Sequence, residues 1–124
     1  MTGESKTQSV TGEQFEALIQ ANDIVIIDFW AAWCAPCKQF AQVYERVAAQ
    51  HENIIFAKIN IEEERELAEA FQIRSIPHLM VFKQGIVIYS EAGSMPESTL
   101  KELVQQAVDA DVSKIKAQLD QDEE

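Results

Sequence analysis

The sequence predicts one α/β domain: a mixed β-sheet with helices on both faces. Short β-branched apolar runs alternate with segments of helical periodicity, which favours parallel strands joined by helices. Two later apolar runs flank a turn at 83–85 and predict an antiparallel hairpin. A length of 124 residues is enough for one domain with its own core.

The elements follow in the order βαβαβαββα. A short strand at 8–10 precedes a helix that Thr11 and Gln14 begin as a capping box. The β-branched run 24–30 is typical of a strand buried on both faces. The later elements are expected as an amphipathic helix ending near 50, a strand at 54–59, an acidic-fronted helix at 62–71, hairpin strands at 79–82 and 86–89, and a last core helix at 100–108.

The C-terminal tail differs in composition from the rest. From Asp109 onward it carries six acidic residues and two lysines. This pattern indicates either an extra helical turn or a solvated, frayed end, and we favour the frayed end. We therefore expect a core domain at 1–109 and an acidic extension at 110–124.

The net charge of −11 excludes several classes of partner. Such an acidic chain repels nucleic-acid phosphates and anionic membrane surfaces. No apolar run approaches membrane-spanning length, and the polar start lacks the apolar core of a secretory signal. We expect a monomer in the cytoplasm, where a cysteine pair is more often catalytic or metal-binding than structural.

The two cysteines of the chain, Cys34 and Cys37, follow the strand at 24–30 directly. A Cys-x-x-Cys pair at such a junction is a redox centre or half of a metal site. A structural zinc site needs four ligands, and the remaining candidates, His51 and His78, are far apart in sequence. No metal is therefore expected within one chain, while a site shared between two chains stays open.

Several features of the pair favour redox chemistry. Cys34 at the start of a helix meets unpaired N–H groups and the positive end of the helix dipole, which stabilise a thiolate. Cys37 lies three residues further on the same helix face and can close a small disulfide ring. Pro36 suits the first helical turn and stiffens that ring.

Two charged residues interrupt the predicted buried strands. Asp28 is a lone acid, so burial would raise its pKa or require a partner, unless it faces solvent at the strand end. Lys58 is a lone base at 54–59, where an edge or snorkelling lysine is the ordinary interpretation.

Three segments together resemble one family. Residues 28–38, Asp-Phe-Trp-Ala-Ala-Trp-Cys-Ala-Pro-Cys-Lys, resemble the active-site segment of the thioredoxin family. Residues 73–77, Ile-Arg-Ser-Ile-Pro, resemble its cis-proline segment, and residues 82–85 resemble its hairpin turn. The resemblance covers roughly residues 8–109, includes a late glycine at Gly93, and implies the thioredoxin fold.

The resemblance also implies roles for individual residues. Cys34 matches the exposed nucleophile and Cys37 the buried resolving thiol. Asp28 matches the buried carboxylate that moves the proton of Cys37, and Lys58 matches the neighbour of that carboxylate. The substrate-binding rim corresponds to Trp33, Ile76, Pro77 in the cis form, and Gly93.

Some positions depart from the family pattern. Ala35 stands where glycine is usual, so we expect Ala35 and Pro36 between the sulfurs to tune the redox pair. His78 replaces a threonine and either tunes Cys34 or is an inert polar side chain. Gln42 replaces a helix-kinking proline, and Ser75 replaces a glycine in the groove.

The predicted activity is protein-disulfide reduction by attack of Cys34, formation of a mixed disulfide and resolution by Cys37. The sequence has no nucleotide-binding fingerprint, so no cofactor is expected. NADPH would act only through a separate, thioredoxin-reductase-like protein, and the substrates would be protein disulfides. The alternatives are a disulfide oxidant or isomerase and a partner-binding or co-chaperone module on the same fold.

Overall fold

A mixed sheet with flanking helices organises the chain in the computed structural model, which describes residues 6–122, the last three by backbone alone. In chain order the elements are β1 (Gln8–Ser9), α1 (Gly12–Ala21), β2 (Ile24–Trp30), α2 (Ala35–Ala48), β3 (Ile55–Asn60), α3 (Arg65–Ala70), β4 (His78–Lys83), β5 (Ile86–Ala92), α4 (Glu97–Asp109) and α5 (Ser113–Asp122).

The sheet has the strand order β1-β3-β2-β4-β5. Strand β3 pairs in parallel with both β1 and β2, whereas β4 pairs antiparallel with β2 and β5. The parallel half and the antiparallel hairpin therefore meet at β2, the strand that leads to the cysteines. This topology confirms the predicted mixed sheet.

Helices cover both faces of the sheet, as predicted. On one face, α2 and α4 pack over a core that includes Phe40 and Leu100. On the other face, α1 and α3 pack over Phe29 and its neighbours. The Tyr44 hydroxyl of α2 donates to the carbonyl oxygen of Ile26 at 2.9 Å, which ties this helix to the central strand.

Several boundaries differ from the prediction. Helix α2 ends at Ala48 instead of near 50, and α3 begins at Arg65 instead of 62. The later start of α3 has a local cause: the Asn60 side chain accepts a hydrogen bond from the Glu62 N–H at 2.8 Å. This contact holds the acidic residues before α3 in a turn, because an Asn side chain competes with helical hydrogen bonding.

A buried lysine connects the end of β4 to the C-terminal end of α4 by hydrogen bonds. Lys83 is 6% exposed and stands at the end of β4. Its Nζ donates to three backbone carbonyls, those of Ala107, Val108 and Ala110, at 2.8, 2.9 and 2.5 Å.

The C-terminal tail is helical. After Val112, which is buried, the chain forms α5 over Ser113–Asp122. This helix is longer than the single turn that the sequence offers as one alternative, and it differs from the frayed end that the sequence favours. A domain border at 109 stays a prediction.

Candidate active site

The turn from β2 into α2 places both cysteines. Cys34 is the N-cap of α2, and the Cys37 N–H donates to Cys34 Sγ at 3.2 Å. A disulfide joins the two residues. Cys34 Sγ thus accepts a hydrogen bond from an N–H that has no partner within the helix, and it lies at the positive end of the helix dipole. Both features favour a thiolate.

The two cysteine residues differ little in exposure. Cys34 is 5% and Cys37 2% exposed, so in the disulfide form Cys34 is not the exposed residue that the resemblance implied. Cys34 is buried because Ala31 and Ile76 pack against the two cysteines. Exposed residues stand between the cysteines instead, since Ala35 and Pro36 both face solvent in the first turn of α2.

A buried carboxyl lies in the middle of the sheet, close to the disulfide in sequence. Asp28 is fully buried, and neither of its carboxyl oxygens has a hydrogen-bond partner among the described residues. Burial raises the pKa of this carboxyl from 3.8 to about 7, and the charge of Lys58 opposes the rise. Lys58 is the register partner of Asp28 on β3. The solvent-facing interpretation of Asp28 is therefore wrong.

The loop before β4 faces the cysteines. The Ile76–Pro77 peptide bond is cis, as predicted. The carbonyl oxygen of Ile76 lies 3.8 Å from Cys34 Sγ. Gly93 donates its N–H to the Pro77 carbonyl at 2.7 Å, with φ of 115°, a conformation that favours glycine. The structure thus brings Ile76, Pro77 and Gly93 to one side of the disulfide.

Trp33 forms an exposed part of this region. Its side chain is 65% exposed, and its Nε1 donates to Glu62 Oε2 at 2.8 Å. The sequence alone does not point to Glu62, because the acidic run at 62–64 is typical of a helix start. The contact joins residues 29 positions apart, so only the three-dimensional structure reveals it.

The imidazole ring of His78 contacts residues of the two neighbouring strands. Its Nε2 lies 2.8 Å from the Ser90 hydroxyl, and its ring meets Phe29 edge-on. Burial lowers the pKa of His78, while the charge of Glu91 opposes this change, so the neutral form of the ring is favoured. No contact described within residues 6–122 joins His78 to a sulfur, and its tuning of Cys34 stays a prediction.

Two further observations concern metals and membranes. Among residues 6–119, whose side chains the structure describes, no three side chains of the metal-binding types His, Cys, Asp and Glu come together as a possible metal site. Over the same residues, no helix combines the length and the apolar character needed to cross a membrane.

Comparisons with known proteins agree with this geometry. The family model described as Thioredoxin matches residues 6–106. The chain is 37% identical to Thioredoxin 1 of a Nostoc species, covering 82% of this chain and 96% of the relative. It is 34% identical to a thioredoxin of Echinococcus granulosus, with 85% and 97% covered. A mutant thioredoxin from Halobacterium salinarum superposes with a TM-score of 0.78 at 30% identity, covering 90% of this chain and 99% of the other.

The fold and the paired cysteines define a thiol–disulfide oxidoreductase acting on proteins. The chain belongs to the thioredoxin family, since the family model spans most of its length. The resemblance, the fold and the class of activity are thereby confirmed, whereas the roles of individual residues stay predictions.

Proposed function

We propose that the protein acts mainly as a reductase of protein disulfides. The Cys34 thiolate attacks one sulfur of a substrate disulfide, forms a mixed disulfide and releases the other substrate sulfur as a thiolate. Cys37 then loses its proton and attacks Cys34 Sγ, which frees the second substrate thiol and closes the Cys34–Cys37 disulfide. Two electrons pass to the substrate in each cycle. The position of Cys34 at the start of α2 is the observation that carries this proposal.

Asp28 is the proposed proton acceptor for Cys37. A carboxyl with a pKa of about 7 can take up and return a proton near neutral pH, where an ordinary aspartate would stay ionised. Lys58 lowers this pKa and keeps the group in its working range. Asp28→Asn should slow release of the mixed disulfide near pH 7, and an unchanged pH–rate profile would reject this role.

Substrates are proposed to dock beside the disulfide. The exposed indole of Trp33, held by Glu62, supplies an apolar contact. Ile76, Pro77 and Gly93 would form the opposing wall, because the Ile76 carbonyl lies 3.8 Å from Cys34 Sγ and the Gly93 N–H donates to the Pro77 carbonyl. The choice of partners would be tuned by Ala35, Pro36 and His78.

A separate enzyme is proposed to regenerate the reduced form. The protein needs no cofactor of its own in this scheme, and electrons from NADPH would reach the disulfide through a thioredoxin-reductase-like partner. A monomer working in the cytoplasm, in electron transport and redox homeostasis, fits this cycle. The acidic charge supports protein partners over nucleic acid or membranes.

Reduction of insulin disulfides, coupled to NADPH through a thioredoxin reductase, tests the proposal. The wild type should turn over, and Cys34→Ser should be inactive. Cys37→Ser should accumulate a mixed disulfide through Cys34, which mass spectrometry detects. Turnover that survives Cys34→Ser would refute the mechanism. A reduction potential more oxidising than that of the glutathione pool would instead favour the oxidant or isomerase.

A further inference from the structure

A cation lies on the face of an indole beside the redox centre. Lys58 Nζ lies 4.9 Å from the centroid of the Trp30 ring, within the range of a cation–π contact. Trp30 in turn packs against the buried cluster of Ala31, Cys34 and Cys37. Trp30 therefore lies between Lys58 and the disulfide and contacts both. This contact is separate from the effect of the Lys58 charge on the pKa of Asp28.

The Trp30 ring has few polar contacts. Its Nε1 is buried and has no hydrogen-bond partner among residues 6–122. The hydrophobic residues that pack with it on the cysteine cluster, Ile61 and Ile76, supply only apolar contact. The ammonium group of Lys58 on the ring face therefore supplies a polar contact to an indole whose N–H has no hydrogen-bond partner among the described residues.

The carboxyl of Asp28 does not hydrogen-bond to the Lys58 ammonium group, which lies on the Trp30 ring instead. Asp28 and Lys58 are register partners, yet both carboxyl oxygens lack a hydrogen-bond partner among residues 6–122. Burial raises the pKa of Asp28 to about 7, so a large share of the carboxyl is neutral at pH 7. A neutral carboxyl attracts an ammonium group weakly, which leaves the ring as its partner.

We propose that Lys58 is a positioning residue for Trp30 and holds the indole against the Cys34–Cys37 disulfide. The indole then forms a fixed wall of the redox centre. A ring free to tip would admit water beside the sulfurs and slow the attack of Cys37 on the mixed disulfide. Only this kinetic consequence rests on the proposed function; the position of the ring does not.

The surroundings of the pair suggest a competing partner for the cation. Lys58 and Trp30 line an open groove of about 220 Å³ that Glu63 also lines. If the ammonium group left the ring, the Glu63 carboxylate would be its alternative partner in this groove. Glu63→Gln removes that competitor and leaves the cation on the indole.

Fluorescence of Trp30 tests the proposal directly. The chain has two tryptophans, so Trp33→Phe leaves Trp30 as the sole indole emitter. Adding Asp28→Asn removes any route through the carboxyl. In this double background, Lys58→Met should raise the population of displaced Trp30 rings about two- to fivefold, the factor that corresponds to losing a partly exposed cation–π contact, and acrylamide quenching of Trp30 should rise with that population. Lys58→Arg keeps a cation on the ring and should preserve the original quenching.

Matched controls separate the contact from general charge loss. Lys38→Met removes an exposed lysine of α2, and Glu63→Gln removes the groove carboxylate; both should leave quenching unchanged. In the Asp28→Asn background with Trp33 intact, resolution of the mixed disulfide should slow with Lys58→Met and recover with Lys58→Arg. Equal quenching in the lysine and methionine proteins would overturn the proposal. If Lys58→Met does not fold, Lys58→Gln replaces it, with the same quenching ratio deciding.

Discussion

Replacement of Asp28 by asparagine should make the oxidised protein more stable, and only above acidic pH. The pKa of the buried carboxyl is about 7 in the folded protein, against an ordinary 3.8. Between these values the folded state binds a proton that the unfolded state has lost, so the free energy of unfolding falls as pH rises. A gap of about three pH units at ~1.36 kcal/mol each amounts to about 4 kcal/mol, reached just above pH 7.

Urea denaturation of the oxidised protein between pH 4 and pH 9 measures this difference. At pH 4 the wild type and Asp28→Asn should have similar stability, because the native carboxyl is then mostly neutral. By pH 8 the variant should be more stable by about 4 kcal/mol. Asp23→Asn, at an exposed position just before β2, is the matched control and should keep the pH dependence of the wild type, because Asp28 is intact. A difference that stays constant from pH 4 to pH 9 would refute the reasoning.

Two backbone predictions concern residues with positive φ. Gln72 has φ of 56°, so Gln72→Gly should raise the free energy of unfolding by about 1 kcal/mol in a denaturant titration. Gln20→Gly within α1 should lower it by a similar amount, and a loss at both sites would contradict the assignment. Gly93 has φ of 115°, so Gly93→Ala should cost about 1–2 kcal/mol and lower the melting temperature by several degrees. An unchanged melting temperature would show that the loop accepts a side chain.

The central strand and the redox pair could be predicted from sequence because their signals are local. The apolar run before Cys34 fixed the strand, and a lone acid within that run indicated a buried Asp28, which the structure confirms. The helix start at Cys34 followed from the same junction and is also confirmed.

Features that depend on contacts between residues far apart in sequence could not be predicted from the sequence. The bond between Trp33 and Glu62 requires the chain to fold before the two meet. The sheet register turns His78 toward Phe29 and Ser90, and one sequence does not disclose that register. For the tail, the acidic composition indicates a helical turn or a solvated, frayed end, but it does not give the length of helix α5, which runs from Ser113 to Asp122 with exposed side chains at 113–119.

The contacts of Lys83 bear on how the protein could be shortened or fused to another. This side chain joins the β4 end to carbonyls on both sides of residue 109, and Val112 is buried beyond them. The contacts that tie the chain to the sheet therefore extend to Val112. Partner domains attached beyond that point would leave the lysine with all three acceptors, whereas a cut at 109 would remove one of them.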